Sequence, residues 1–167
     1  MKKNNKGFTL IELMIVIAII AVIAAIAIPG ILSARRASNE KSALGTIKNF
    51  LTASVTYSND RDDQFYFTNE LVSEDSPDGY TFTMTNGSQV SVYFSHISPK
   101  SGYNFRFFSK DDKENAFYYY AWPTSETNGR FQYIGDESNR IWKTPFLEDD
   151  QEAIEDVDPE NEWTPVS

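Results

Sequence analysis

Between Phe8 and Ile28 nearly every residue is apolar, and one carboxylate, Glu12, lies inside that run with Thr9 as its other polar interruption. An ionised carboxylate in hydrocarbon costs about 2.5–3.5 kcal/mol on insertion scales, so a group placed there marks a function or finds a cation. Three lysines, Lys2, Lys3 and Lys6, stand just ahead of the run and are closed off by Gly7. The chemistry available to this end of the chain is therefore charge pairing at low dielectric, where opposite charges attract strongly and unpaired ones are costly. Elsewhere the reactive inventory is thin. There is one histidine, His96, and no cysteine. Sites needing two imidazoles, a thiolate or a disulfide framework are ruled out. Neither a Gly-x-Ser-x-Gly elbow nor a Gly-x-Gly-x-x-Gly phosphate loop occurs. No catalytic residue is assigned, and His96 reads as an ordinary strand-end residue. Asp60, Asp62 and Asp63 and the later acidic run offer oxygen ligands for a hard cation. They lack the spacing of a defined calcium loop, so no metal site is assigned.

The elements that must hold Glu12 follow from length and patterning. The 167 residues allow one domain of ordinary size and little more. A formal charge of −9 repels nucleic acid, so no nucleic-acid partner is expected. As a helix, Phe8 to Ile28 spans roughly 30 Å, about the thickness of a bilayer's hydrocarbon. The lysines before it would stay cytoplasmic and send the remainder outward. A cleaved secretory signal ending near Ala25-Ile26-Ala27, with a secreted binding module behind it, is one reading. The apolar stretch is longer than such signals require, and it carries a carboxylate near its start. A plain membrane anchor explains the length and the lysines, but leaves Glu12 without a role. Pro29 and Gly30 end the apolar run, and a kink or locally melted stretch is expected there. Beyond Ser33 the pattern becomes amphipathic: Leu44, Ile47, Leu51 and Val55 recur at helical spacing, with Lys41, Lys48, Asn49 and Thr52 on other faces. Arg35 and Arg36 fall where the helix leaves the membrane and suit headgroup contact. One helix from about Phe8 to about Tyr57 is predicted, ended by the polar run from Asn59 to Asp63.

The segment Gly7-Phe8-Thr9-Leu10-Ile11-Glu12, followed by a long apolar helix containing Pro29, resembles the N-terminus of type IV prepilins and of the related type II secretion pseudopilins. The likeness covers about Lys6 to Pro29. It implies cleavage between Gly7 and Phe8 by a membrane-embedded prepilin peptidase, which also methylates the new amine of Phe8. The methyl donor belongs to that peptidase, so no cofactor is implied for this chain. A glycine before the cut lets a protease approach the backbone closely. The resemblance also gives Glu12 a partner, the Phe8 amine of a neighbouring subunit, and thus a role in setting the register of an incoming copy. The implied partners are other copies or other pilins, the inner membrane before assembly, and an inner-membrane assembly platform. The implied location is a single-pass inner-membrane protein with its head in the periplasm, then a periplasmic or cell-surface filament. The absence of cysteine departs from many type IV pilins, whose C-terminal loop is closed by a disulfide.

The remainder reads as β-rich. Tyr80–Thr85 and Val90–Phe94 alternate around Asn86-Gly87, a hairpin signal because both turn positions favour positive φ. Gly102–Phe108, Ala116–Trp122, Arg130–Ile134 and a short Asn139–Trp142 read as further strands. The aromatic run Phe117-Tyr118-Tyr119-Tyr120 must face both sides of a sheet, one of them packed on the helix. From Glu148 onward there are nine acidic residues and no Lys or Arg, the pattern of a solvated tail. The expected organisation is a leader at 1–7, an apolar half-helix at 8–34, an amphipathic half-helix at 35–58, a β-rich head at 59–147 and an acidic tail at 148–167. The predicted fold class is α+β: a pilin-like long N-terminal helix packed on an antiparallel β-sheet.

Overall fold

The computed structural model describes residues 7–60, 80–83, 85–92, 99–109, 117–146, 159 and 163–166. Among the described residues, the long helix α1 (Leu10–Asp60) is followed by seven strands. These are β1 (Tyr80–Thr83), β2 (Gln89–Val92), β3 (Tyr103–Ser109), β4 (Phe117–Pro123), β5 (Phe131–Asp136), β6 (Ile141–Pro145) and β7 (Thr164–Pro165). The architecture is α+β, as the patterning predicts. The chain divides into two compact units, 1–35 and 36–167, and α1 contributes to both. The expected interruption at Pro29 and Gly30 is not a break, because α1 stays helical through both. Proline there forfeits the one hydrogen bond its own N–H would have made to the Ala25 carbonyl. That loss, about 3 kcal/mol relative to alanine, is spread within a 51-residue helix nucleated on both sides.

In the second unit, Ala43, Ile47, Phe50 and Leu51 recur at three- and four-residue spacing and are buried. They join Tyr103, Phe105, Phe117, Tyr119 and Tyr133 in one core. Phe50 is its centre: the ring stacks on Tyr119 at a centroid distance of 3.9 Å and meets Phe117 edge-on at 5.8 Å. Full burial of such a ring contributes about 1.5–3 kcal/mol. Polar groups on the same helical face are satisfied locally: Ser54 Oγ donates to the Phe50 carbonyl at 2.8 Å. Gly135 on β5 sets how closely the helix approaches, because a Cβ there would lie 2.8 Å from Leu51 Cδ1 and 2.9 Å from Ile47 Cγ2.

Strands β3 to β7 form a meander of antiparallel neighbours in sequence order. Alternation carries Tyr103, Phe105, Tyr119 and Tyr133 into the core shared with α1, while Tyr120, Ile134 and Trp142 form a second buried cluster. Trp163 completes that second cluster, packing edge-on to Tyr120 at 6.2 Å. The reading of everything after Glu148 as a solvated tail therefore fails at its end. Trp163 is buried, Thr164 and Pro165 pair with Lys143 and Trp142, and the Val166 N–H donates to the Ile141 carbonyl at 2.8 Å. Apolar area on Trp163 and Val166 outweighs the acidic composition around them. Apart from Pro159, the acidic stretch 148–162 lies outside the described residues, as do Asp62, Asp63, His96, Ala116 and the lysines at 2, 3 and 6.

β1 and β2 pair separately as a hairpin, with Thr83 opposite Gln89. The hairpin expected around Asn86-Gly87 is present, although Asn86 does not take the positive φ expected of it. Among the described residues 85–88, Gly87 alone takes positive φ, at 81°. Asn86 acts through its side chain, whose Oδ1 accepts from the Ser88 N–H at 2.8 Å and from the Ser88 hydroxyl at 2.7 Å. An asparagine that closes a loop this way does not need the left-handed conformation.

Candidate functional site

The N-terminal unit is built around the start of α1. Thr9 caps the helix, and its Oγ1 accepts from the Glu12 N–H at 3.3 Å. Glu12 answers: its Oε2 accepts from both the Thr9 N–H and the Thr9 hydroxyl, each at 2.8 Å. This reciprocal capping box satisfies two backbone donors that a helix start otherwise leaves free. The Thr-x-x-Glu spacing was legible in the sequence and assigns Thr9 a role that the apolar pattern alone does not. Both members of the box lie on the C-terminal side of the Gly7–Phe8 bond. One carboxylate oxygen, Oε2, takes the Thr9 hydrogen bonds, and the group remains exposed at the helix end.

Gly7 and Phe8 lie just ahead of the Thr9 cap of α1, and both are exposed. Gly7, Phe8, Thr9 and Glu12 thus share one end of the helix. Pro29 and Gly30 do not join them, lying roughly 25 Å further along at 1.5 Å per residue. Between these points no large apolar side chain finds cover. Phe8 is 92% exposed, and Leu10, Ile11, Leu13, Met14 and their successors to Leu32 are exposed as well. Leaving sixteen such side chains in water would cost on the order of tens of kcal/mol. The helix is long and apolar enough to cross a membrane, and it fits a single-pass anchor.

In the head, Glu40 is the charged group that patterning missed. It is buried on α1, and it accepts from the Arg130 backbone N–H at 3.0 Å and from Arg130 Nε and Nη2 at 3.1 Å each. Burial works against the carboxylate, but the Arg130 hydrogen bonds and charge outweigh it and hold Glu40 below its ordinary range. The neighbouring Asn39 donates to the Asn128 carbonyl at 3.0 Å, so the same helical turn grips the loop between β4 and β5 twice. Asp136, fully buried, closes the β5–β6 connection by accepting from Arg140 Nε and Nη2 and from the Ser138 and Arg140 N–H groups. Burial raises the Tyr103 and Tyr120 phenols, which stay protonated; Tyr103 donates to the Phe131 carbonyl and Tyr120 to Gln132 Oε1. These are pairings that hold a scaffold together.

A capped, lipid-compatible helix joined to an α+β head fits the class of proteins held by one N-terminal membrane anchor. Comparison with known proteins narrows the class. Residues 2–28 match the model for the prokaryotic N-terminal methylation motif. The chain is 35% identical over 116 residues to the type IV wide pilus major component PilA4 of Thermus thermophilus, covering 66% of this chain and 86% of that protein. It is 43% identical over 67 residues to the type IV major pilin protein PilA of Myxococcus xanthus, covering 40% of this chain. The chain spans 30% of that Myxococcus protein's length. No solved structure matches at a significant level. The chain belongs to the type IV pilin family.

Proposed function

We propose that the chain is a structural subunit of a type IV pilus-like filament, made competent by cleavage between Gly7 and Phe8 and N-methylation of Phe8. The observation that carries this reading is the α1 half from Phe8 to Leu32, whose apolar side chains are exposed all round and whose one charge is placed in its first turn. Such a surface needs lipid before assembly and neighbouring helices after it. The proposed sequence of partners is therefore the inner membrane, a prepilin peptidase, an assembly platform and then other subunits. The head faces the periplasm and later lies on the filament. In the filament, Glu12 meets the Phe8 amine of a neighbour, and the requirement that neither charge be buried alone sets the register of the incoming helix. The capping box survives the cut, so the mature helix starts with its carboxylate already oriented. A structural role accounts for these features without catalysis.

A pseudopilin of type II secretion is the alternative, favoured by the absence of cysteine from the chain. Imaging of surface filaments in a deletion strain, beside a secretion assay, separates the two. Lost filaments with intact secretion support the pilus subunit, and the reverse outcome supports the pseudopilin. Mass spectrometry of the mature protein is expected to find N-methylated Phe8 as first residue. A chain beginning near Ile28 would replace both readings with a secreted module behind a conventional signal.

A further inference from the structure

Within the head, α1 has two faces of opposite character. Glu40, Ala43, Ile47, Phe50, Leu51 and Ser54 are buried against the sheet. Ser38, Lys41, Gly45, Lys48, Thr52 and Thr56 are exposed. The exposed face carries two ammonium groups and no carboxylate, in a chain whose net charge is −9. Neither lysine has an ion-pair partner among the described residues, where Arg130 and Arg140 are committed to Glu40 and Asp136. Between the lysines stands Gly45, where an added Cβ would meet nothing. Glycine weakens a helix interior, and nothing within the subunit requires one here. The result is a shallow notch flanked by two cations, open to another backbone.

The chain also carries a complement to this notch. Residues 147–158 hold seven carboxylates and no Lys or Arg. Described residues anchor both ends. Phe146 is buried and its N–H donates to the Arg130 carbonyl at 2.8 Å, while Pro159 is buried and its carbonyl accepts from the Trp163 N–H at 3.1 Å. Twelve residues tethered at both ends can extend roughly 20 Å from their anchors. We propose that the Lys41–Gly45–Lys48 face of α1 docks the acidic segment 147–158 of a second copy of this chain. The proposal rests on the filament reading above and names a contact between heads that the apolar helices alone do not supply. Pairs of this kind are exposed, so the contact weakens as salt rises and the screening length falls, to about 10 Å at 0.1 M.

Because the chain has no cysteine, introduced thiols report this contact without background. Full-length chains carrying Lys48→Cys and Asp150→Cys, co-expressed in filament-forming cells and oxidised, are expected to give a dimer band on non-reducing electrophoresis. Pairing Asp150→Cys with Thr83→Cys, exposed on β1, is expected to give none. Charge reversal by Lys41→Glu with Lys48→Glu is expected to reduce filament yield at least about fivefold, restored by Asp149→Lys with Asp150→Lys. Wild-type filaments with neither cross-link nor charge-reversal effect overturn the docking contact and leave the filament reading standing. A disulfide forming only within one chain carrying both thiols overturns it in favour of the segment's own subunit. Loss of yield that follows anionic-lipid content, and is not restored by the reversed acids, overturns it in favour of a lipid surface. If the wild-type chain forms no filaments at all, both readings fail.

Discussion

Phe8 and Phe50 belong to the same stretch of chain, yet Phe8 is 92% exposed and Phe50 is wholly buried. The residues around each explain the contrast. Around Phe8 the apolar residues are continuous, so no face of the helix is distinguished and no single sheet could cover it. Around Phe50 they recur at three- and four-residue spacing, which leaves one stripe for one sheet and a polar face for water. Uniform hydrophobicity requires an environment from outside the subunit. Periodic hydrophobicity is satisfied within it. The charges divide in the same way: Glu40 is held by Arg130 of its own head, whereas Glu12 finds only the cap donors of Thr9 among the described residues.

The strongest way to break this comparison is to separate the halves. Removing residues 1–33 is expected to leave a soluble, monomeric, folded head, checked by circular dichroism, limited proteolysis and sedimentation. An unfolded fragment would show that the apolar half contributes to the core after all. Next in size is a paired substitution. Phe50→Ala is expected to lower the stability of the head by about 3–5 kcal/mol in denaturant titrations. Glu12→Gln is expected to leave head stability and cleavage after Gly7 unchanged, while processed subunit accumulates in the membrane with few filaments. Breaking one side of a buried pair costs about 3–5 kcal/mol, so the two losses are alike in size and fall on different measurements. Assembly of Glu12→Gln at the wild-type rate would remove the proposed Phe8–Glu12 contact.

Smaller effects sharpen the description of the packed half. Gly135→Ala places a Cβ against Leu51 and Ile47 and is expected to cost about 1–3 kcal/mol of head stability. Leaving assembly unaffected at permissive temperature would confirm that this contact belongs to the head alone. The smallest is a pH dependence. Glu40 titrates below its ordinary value of 4.5, so the pair's stabilisation is complete above that value and is lost as pH falls through the lower, folded-state value. Glu40→Gln is therefore expected to flatten the acid limb of the stability curve below about pH 4.5. The change is modest, since Arg130 is half exposed.

Much of this was legible because period and burial coincide. The apolar run, the 3–4 spacing after Ser33 and the alternating aromatics each specify an element, and α1 and β1 to β6 lie within a few residues of their expected positions. β7 was not legible: two residues, one of them proline, just beyond an acidic stretch carry no strand period, and their pairing depends on β6 already being in place. The hairpin at Asn86-Gly87 was legible from its residue types, whereas the means of closure was not: the side chain of Asn86, rather than a positive φ, accepts from Ser88. Pro29 lies inside a helix that continues through it. At the candidate site, Gly7, Phe8 and Glu12 announced themselves by type and order. Glu40 did not, because its partner lies 90 residues away and only the folded head brings Arg130 to it.

That separation has a consequence for the order in which the head is made. Phe50 leaves the ribosome well before β4, β5 and β6, the last of which ends at Pro145, 95 residues later. At about 5–20 residues per second, its stripe waits roughly 5–20 s for the strands that cover it. The meander itself can form pair by pair as its strands emerge, since each hydrogen-bonds to its neighbour in sequence. The oldest apolar residues of the head are thus among the last to be enclosed. During that interval they are the part of the nascent head on which a chaperone has most to bind.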